Sequence, residues 1–158
     1  MVLSSIRSHL WIPTAADFEQ VLTLEVSINS YLSRFNQANE TAEQIAARSK
    51  RQLHEALSQS QCRVTLFGEK AAPKGYSRLQ SDGSIARLLR LYVDDTNRGR
   101  QIGTSLLEYN EYVALCMDSE CVQLDVHQEN AGAYKFYLKH GYRIMAIHPN
   151  RYHLIKKI

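Results

Sequence analysis

In the first third of the chain, apolar residues recur at the three- and four-residue spacing of amphipathic helices. Thr14 is an N-cap candidate ahead of a run that predicts a first helix, with apolar positions at Phe18, Val21, Leu22, Leu24 and Ile28. Thr41, with Gln44 three residues later, has the form of a capping box and predicts the start of a second helix. We expect a short strand within residues 2–10 and an irregular connection over residues 29–40.

The pattern changes to β-type over residues 62–93. Apolar positions with a period of two predict three consecutive antiparallel strands, the third of them over residues 85–93. The segment 72–75 contains proline and glycine and predicts the first connection between these strands. The run Ser-Asp-Gly-Ser at residues 81–84 predicts the second connection.

The second half of the chain alternates strands and helices. After a polar loop over residues 94–100, one apolar stripe predicts a helix, with Ile102, Leu106, Tyr109 and Val113 on the same face. Residues 121–127 alternate apolar and polar side chains, so we expect a strand with one buried face. A last helix should stop where Gly141 can adopt the left-handed C′ conformation. Two closing strands follow, over residues 142–147 and 151–155.

Composition restricts the class of protein. The chain has 158 residues, 44% of them hydrophobic and 22% charged, so we expect one globular domain over residues 1–158. The longest apolar run has five residues, whereas a membrane-spanning helix needs about 20. Polar residues interrupt the N-terminal region, where a secretory signal would need an apolar run. We therefore expect a cytoplasmic protein with no membrane segment.

Charged residues, cysteines and histidines predict no nucleic-acid partner and no metal. The net charge of +3 is spread evenly along the chain, so nucleic acid is not an expected partner. Three cysteines cannot all pair with one another, and we expect reduced thiols. The six histidines lack metal-ligand spacing, so we expect no metal site.

The loop over residues 96–104 is the first candidate for chemistry. It lies between a predicted strand and a predicted helix, where unpaired backbone N–H groups and the helix dipole both favour a phosphate. Arg98 and Arg100 add positive charge. The loop lacks the lysine of a nucleotide P-loop and the three glycines of a dinucleotide fingerprint. An ordinary surface turn that enters a helix would have similar composition, so that alternative stays open on this loop alone.

Two blocks together resemble the signature motifs of the GNAT superfamily of N-acetyltransferases. The first is the strand end 91–93 followed by Arg98-Gly99-Arg100-Gln101-Ile102-Gly103. The second places six residues at the family's spacing: Asn130, Ala133, Phe136, Tyr137, Gly141 and Tyr142. The resemblance covers about the last 70 residues, and the order of the earlier elements also agrees with the family.

The resemblance implies a fold and a set of site residues. It implies an α/β (α+β) fold, with a mixed, mainly antiparallel seven-stranded sheet flanked by four helices. One parallel strand pair opens to admit the pantetheine arm of acetyl-CoA, which acetylates a primary amine directly. Tyr137 corresponds to the general acid, and a backbone N–H near Val93 to the oxyanion donor. The cofactor-binding residues it implies are Leu91, Val93, Arg98, Gly99, Arg100, Gln101, Gly103, Thr104, Asn130 and Phe136. Many members dimerise, so a homodimer is expected.

Two positions depart from the family pattern. Gln101 occupies a place where relatives usually have glycine, and we expect it to start the helix with φ near −60°. Leu89 and Arg87 stand where relatives often carry a catalytic Glu or His, so the usual base is missing. A base is needed because an alkyl ammonium with a pKa of about 10.4 is only about one part in 2,500 neutral at pH 7.

Other carboxylates are therefore candidates for the proton acceptor or the acceptor pocket. Asp125, on the strand predicted to flank the thioester, is a candidate catalytic residue, and Glu25, on the apolar stripe of the first helix, is a candidate substrate residue. Either could instead be a solvated or structurally paired carboxylate. His127 shares a strand face with Asp125 and is a candidate for shaping the acceptor pocket.

Three other functions stay open at this point. A catalytically silent acyl-CoA sensor would explain the missing base, and a nucleotide-binding enzyme could use the same loop, although the P-loop lysine is absent. A protein N-acetyltransferase would share the motifs. The single compact domain favours a small-molecule amine as the acceptor.

Overall fold

The computed structural model describes residues 9–36 and 39–158, and within them it forms one seven-stranded sheet with four α-helices. The strands are β1 (Leu10–Trp11), β2 (Cys62–Glu69), β3 (Ala72–Asp82), β4 (Ile85–Val93), β5 (Cys121–His127), β6 (Arg143–His148) and β7 (Arg151–Lys157). The helices are α1 (Phe18–Asn36), α2 (Ala42–Ser58), α3 (Ile102–Cys116) and α4 (Ala131–Lys139), with short 3₁₀ turns at Ala15–Asp17 and Asp95–Asn97. The expected α/β fold is confirmed.

The sheet is mixed and mainly antiparallel, as predicted. Its strand order is β1-β2-β3-β4-β5-β7-β6. All neighbouring pairs are antiparallel except β4 and β5, which are parallel because α3 crosses over between them. The two-residue turn between β3 and β4 contains Gly83 with φ of +62°, which confirms the turn predicted at residues 81–84.

Helices pack on both faces of the sheet and divide the apolar interior into two cores. Helices α1 and α2 cover the β2–β3 side, and the buried residues there include Val21, Leu53 and Leu66. Helices α3 and α4 cover the opposite face, where the buried residues include Leu107 and Leu124. Since strand side chains alternate between faces, β3 contributes Tyr76 to the first core and Leu79 to the second.

Helix α1 is longer than predicted. The irregular connection expected over residues 29–40 is wrong for its first part, because α1 continues to Asn36. Serine and asparagine in this stretch suggest a loop, but their side chains are satisfied within the helix or against α2. Ser30 donates to the carbonyl of Val26, and Asn29 is buried and donates to the hydroxyl of Ser49. Tertiary contact therefore overrides the local preference of these residues.

The segment 72–75, predicted as a connection, instead begins β3. The reversal occurs at residues 70–71, and a register shift between Phe67 and Gly68 accommodates Pro73 in the β2–β3 pairing. The strand predicted within residues 2–10 lies largely outside the described residues, and the described part of β1 pairs with β2.

Two of the predicted helix ends are confirmed. At α2 the backbone N–H of Gln44 donates to the Thr41 hydroxyl, and the Gln44 side chain accepts from the Thr41 N–H. At α4 Gly141 follows the last turn with φ of +87°, the left-handed conformation of a C′ residue.

Across residues 9–36 and 39–158, no helix is both long and apolar enough to cross a bilayer. The homodimer stays a prediction.

Candidate active site

A cleft opens where strands β4 and β5 separate. The two strands pair only from Ile85–Cys121 to Arg87–Gln123, although β4 continues to Val93 and β5 to His127. Beyond Arg87 the strands diverge, and the gap between them is part of a cleft with a volume of about 1120 Å³. We call the part lined by α3, α4 and the loop before α3 the loop half. The part lined by α1 and the sheet face beneath it is the sheet-face half.

The N terminus of α3 forms the floor of the loop half and is not capped by a side chain. The first helical hydrogen bond runs from the N–H of Ser105 to the carbonyl of Gln101, so the preceding N–H groups have no partner within the helix. Both α2 and α4, by contrast, carry side-chain caps from Thr41 and Asn130. An uncapped helix N terminus that faces a cleft is suited to bind an anion.

Gln101, the residue before α3, has a backbone conformation different from the one that we expected. Its φ is +63°, in the left-handed region, and not the value near −60° that we expected. Gly99 is also left-handed, with φ of +75° and open space where a Cβ would lie. The two left-handed residues turn the chain sharply into α3, a backbone conformation that glycine adopts more easily than glutamine.

Close packing of α3 onto the sheet depends on Gly75, which the sequence did not single out. A Cβ at Gly75 would lie 2.8 Å from Leu106 Cδ1 and 3.0 Å from Ile102 Cγ2. Both are tighter than ordinary side-chain contacts, so a Cβ at this position would force the Leu106 and Ile102 side chains to shift.

Arg98 is held in place by the loop itself. Its guanidinium forms an ion pair with Asp95 at 2.7 Å, and its Nε donates to the Val93 carbonyl at 3.3 Å. Thr104 contacts His140 on α4, with 3.0 Å between the hydroxyl and Nε2, and His140 Nδ1 donates to the Phe136 carbonyl. Of the ten predicted cofactor residues, nine line the cleft. Arg100 is exposed and does not line it.

The backbone N–H of Val93 faces the gap between β4 and β5. The next residue, Asp94, donates its N–H to the Lys74 carbonyl of β3 at 3.0 Å. Peptide groups alternate along a strand, so the N–H of Val93 points to the opposite edge of β4. The strand geometry thus leaves a backbone donor at the point where the two strands separate.

Tyr137 lies on α4 against the cleft and is almost fully buried. Its ring packs edge-on to Phe136 and Tyr142, with centroids 5.3 and 5.5 Å apart. Burial raises the pKa of the Tyr137 phenol well above its ordinary value, so the hydroxyl is protonated at neutral pH. Within residues 9–36 and 39–158 this hydroxyl makes no hydrogen bond, which leaves it available to a ligand.

Asp125 and His127 lie in the sheet-face half, as the strand pattern indicated. Asp125 pairs across the ladder with His153 of β7, and His127 pairs with Arg151. The Asp125 carboxylate accepts a 2.7 Å hydrogen bond from His153 Nδ1. The other ring nitrogen of His153 lies 3.2 Å from the Gln123 side-chain oxygen. The cleft therefore contains a carboxylate–imidazole pair in which Asp125 orients the ring.

Glu25 does not reach the cleft. Its side chain has no exposed surface and forms a buried ion pair with Arg78 at 3.2 Å. Burial, and then the negative charge of Glu25, raise the pKa of the neighbouring Tyr76. The expectation of a substrate residue is corrected, because the inward side of α1 packs Glu25 against β3. Removing either partner would leave an unpaired buried charge, so the pair is structural.

No local pattern in the sequence marked His153, Arg151 and Arg90, although all three line the cleft. Each lies in an ordinary strand pattern, and only the β5–β7 and β3–β4 ladders bring them to the face that carries Asp125. In the described residues, no group of three or more His, Cys, Asp and Glu side chains is arranged to hold a metal ion.

Solved structures with the same fold include several acetyltransferases. The PaiA N-acetyltransferase of Thermoplasma acidophilum, solved in complex with coenzyme A, is 20% identical, with a TM-score of 0.78 over 94% of this chain and 98% of that one. An acetyltransferase from Streptococcus agalactiae is 14% identical, with a TM-score of 0.75 over 94% and 97%. One from Thermus thermophilus is 19% identical, with a TM-score of 0.72 over 94% and 96%. At these identities the similarity establishes the fold.

A comparison with curated proteins found no match. A comparison with family models matched residues 58–144, more than half of the chain, to the acetyltransferase (GNAT) domain. The match includes the loop before α3, Tyr137 and the strands that separate to form the cleft. The chain therefore belongs to the GNAT family of acetyltransferases.

Proposed function

We propose that this protein transfers the acetyl group of acetyl-CoA to a primary amine of a small molecule. The observation that carries the proposal is the continuous cleft, which leads from the uncapped N terminus of α3, past the gap between β4 and β5, to the Asp125–His153 pair. One end is suited to a phosphate and the other to an amine. The domain over residues 1–158 would then act as a single acyltransferase unit.

The residues of the loop half fit a CoA-type cosubstrate. Free N–H groups at the start of α3 would hold the pyrophosphate, and Gly99 and Gly103 keep side chains out of its way. Leu91, Phe136 and Asn130 line the path toward the gap. Coenzyme A in the Thermoplasma acidophilum structure of the same fold supports this assignment. Acetyl-CoA would supply an acetyl group activated as a thioester.

Two groups would assist the transfer itself. The N–H of Val93 faces the gap and would stabilise the negative charge that develops on the thioester carbonyl oxygen. Tyr137 keeps its proton at neutral pH and would donate it to the departing thiolate. Both groups belong to the loop half, on either side of the gap.

The Asp125–His153 pair would supply the base that β4 lacks. His153 would accept the proton of the attacking ammonium at Nε2, after this nitrogen leaves the Gln123 side-chain oxygen that it faces, and Asp125 would hold the ring through Nδ1. Sequence alone pointed to Asp125 as a catalytic residue. The geometry favours an indirect role, since the carboxylate is already occupied by the imidazole.

The experiment that tests the transfer is release of coenzyme A from acetyl-CoA in the presence of a panel of amines, with mass spectrometry of the product. Turnover of at least one small amine to its N-acetyl product supports the proposal. Tight binding of acetyl-CoA without turnover would favour a silent acyl-CoA sensor, and acetylation of peptide amines alone would favour a protein acceptor.

A variant tests the base. His153→Ala should lower kcat/KM by about 10²- to 10⁴-fold at pH 7, the usual contribution of a general base. The defect should shrink as the pH rises toward 10, because more of the amine is then already neutral. Asp125→Asn should give a smaller defect with the same pH dependence. A defect that is constant across pH would contradict the assignment.

A further inference from the structure

A β-bulge in β4 turns two arginines toward the sheet-face half. Arg90 pairs with Arg78 of β3, whereas Leu88 pairs with Leu79, so Leu89 is an extra residue without a partner. Side chains normally alternate along a strand, which would place Arg87 and Arg90 on opposite faces. The extra residue, Leu89, shifts this alternation by one position, so the side chains of Arg87 and Arg90 lie on the same face. That face is the one that carries Asp125, because Arg87 pairs directly with Gln123 of β5.

Three arginines that line the cleft on this face have no carboxylate partner. Two other cleft cations are neutralised, Arg48 by Glu40 and Arg98 by Asp95. For the remaining three on the sheet face, Arg87, Arg90 and Arg151, the described residues provide no ion pair. Asp125, an acidic side chain on the same face, is already paired with His153. Glu129 lies beyond the end of β5.

Arg90 is the most constrained of the three. Its two terminal nitrogens donate to the Asn29 side-chain oxygen and the Leu89 carbonyl, both neutral acceptors, and its buried Nε has no partner. Burial, and then the positive charge of Arg78, lower the pKa of Arg90, although Glu25 acts in the opposite direction. The positive charges of Arg90 and Arg78 outnumber the single negative charge of Glu25. The half-buried Arg90 guanidinium is therefore suited to bind an anionic ligand.

The phosphates of the cosubstrate cannot be that anion. They are assigned to the N terminus of α3, which follows Val93, whereas Arg87 precedes Val93 by six residues. At the rise of an extended strand this is roughly 20 Å, and for Arg90, three residues before Val93, it is roughly 10 Å. The positive charge at Arg87 and Arg90 thus belongs to the sheet-face half, which the proposed function assigns to the acceptor.

We propose that the acceptor carries, beside its primary amine, a carboxylate or phosphate group that binds Arg87 and Arg90. The inference rests on the proposed function, because it names the class of amine that the reaction accepts. Along the sheet, the Asp125–His153 pair lies between the position of Arg87 and that of Arg151. The amine of the acceptor would therefore approach the His153 imidazole while its anionic group pairs with the guanidinium groups. An amine with no anionic group would be repelled by the positive charges of Arg87 and Arg151 on either side of the imidazole.

Matched pairs of amines test this preference by turnover. Phenylalanine is compared with phenethylamine, and phosphoethanolamine with ethanolamine, with spermidine as a polycationic amine. In at least one pair, the amine that carries the carboxylate or phosphate should have a kcat/KM at least tenfold higher than the partner that lacks this group. The pair that shows the difference distinguishes a carboxylate from a phosphate.

Binding of the same compounds gives a readout that is independent of turnover. Each compound is titrated calorimetrically into the protein saturated with coenzyme A, so that the loop half is filled and cannot bind the added anion. The anionic member should again bind at least tenfold more tightly. If no amine is turned over, the proposed function fails, and this titration still decides the preference for an anion.

Variants assign the preference to the arginines. Arg87 is exposed and makes no ion pair with any described residue, so Arg87→Gln should fold normally; Arg90→Gln, and Arg90→Lys if the glutamine variant unfolds, test the second position. Each should reduce the ratio between the anionic amine and its partner at least fivefold. Arg143→Gln is the matched control, because Arg143 lies on the same sheet face but outside the cleft.

The inference would be overturned by equal binding within every pair, by a preference for spermidine, or by a preference that survives in both Arg87→Gln and Arg90→Gln. An effect of Arg143→Gln as large as that of Arg87→Gln would also overturn it, because the preference would then come from the general positive field and not from the two side chains.

Discussion

The two halves of the cleft are built in different ways. In the loop half, consecutive residues between Val93 and Thr104 present backbone N–H groups, and the side chains contribute mainly by being small or by holding the loop. In the sheet-face half, side chains from β4, β5 and β7 are brought together by strand register. A site made of backbone tolerates changes of side chain, whereas a site made of side chains can change its specificity with single substitutions.

The same contrast separates the two carboxylates that the sequence indicated. Asp125 lies at the surface of the cleft, half exposed, and orients an imidazole. Glu25 lies beneath the sheet-face half, fully buried, and neutralises Arg78. The two carboxylates thus differ in what they can contact: Asp125 is accessible from the cleft and Glu25 is not, because the side of the helix or strand that carries Glu25 faces the core.

After that of His153→Ala, the largest effect is expected at Tyr137, beside the gap where the two halves meet. Tyr137→Phe should lower kcat by about ten- to a thousandfold, because the leaving thiolate loses its proton donor. The hydroxyl makes no hydrogen bond within the described residues, so its removal leaves no buried partner unsatisfied. Steady-state kinetics with any accepted amine measures the effect.

Two measurements control for a structural effect at Tyr137. The melting temperature and the Kd for acetyl-CoA should change little, because the ring and its contacts with Phe136 and Tyr142 are retained. A kcat within about twofold of the original would contradict the acid role. The defect should also shrink with an acetyl thioester of a more acidic thiol, which leaves more readily.

The next effect tests the loop half alone. A Cβ at Gly103 would lie 3.5 Å from Phe136 and 3.6 Å from Val93, an ordinary contact, so small side chains fit there. Gly103→Asp should weaken acetyl-CoA binding at least tenfold, about 1.4 kcal/mol, because a carboxylate would repel the phosphates. Calorimetric titration measures the Kd.

Gly103→Asn is the matched control, because it has nearly the same shape without the charge. It should weaken binding by no more than about threefold, or about 0.7 kcal/mol. Equal losses in the two variants would mean that shape and not charge is responsible, and the loop would then not be a phosphate site.

The smallest effect tests whether the loop depends on backbone conformation. Gln101 has φ of +63°, which costs an ordinary L-residue about 1–2 kcal/mol and costs glycine little. Gly loses more entropy on folding, so Gln101→Gly should raise the free energy of unfolding by less than about 1 kcal/mol. Denaturant titration measures it. Gln101→Ala keeps the strain and should give no gain, so equal stability of the two variants would contradict the interpretation.

Prediction from sequence succeeded where the signal is local. The capping box at Thr41, the turn at Gly83 and the C′ glycine at residue 141 are each set by a few adjacent residues. Prediction failed where distant packing overrides local preference. The polar C-terminal part of α1 is helical because Asn29 donates a hydrogen bond to Ser49 on α2. The segment that contains Pro73 belongs to β3 because the pairing with β2 continues through it.

The sequence by itself determined the GNAT motifs, the order of strands and helices, and the loop half of the cleft, because those features depend on short-range spacing and on backbone groups that consecutive residues supply. Only the tertiary structure decided the rest. It placed His153 against Asp125, buried Glu25 against Arg78, and turned Arg87 and Arg90 to one face through a single extra residue. Strand register and helix packing set these contacts, and because neighbouring side chains in a sheet come from distant parts of the chain, no local pattern predicts them.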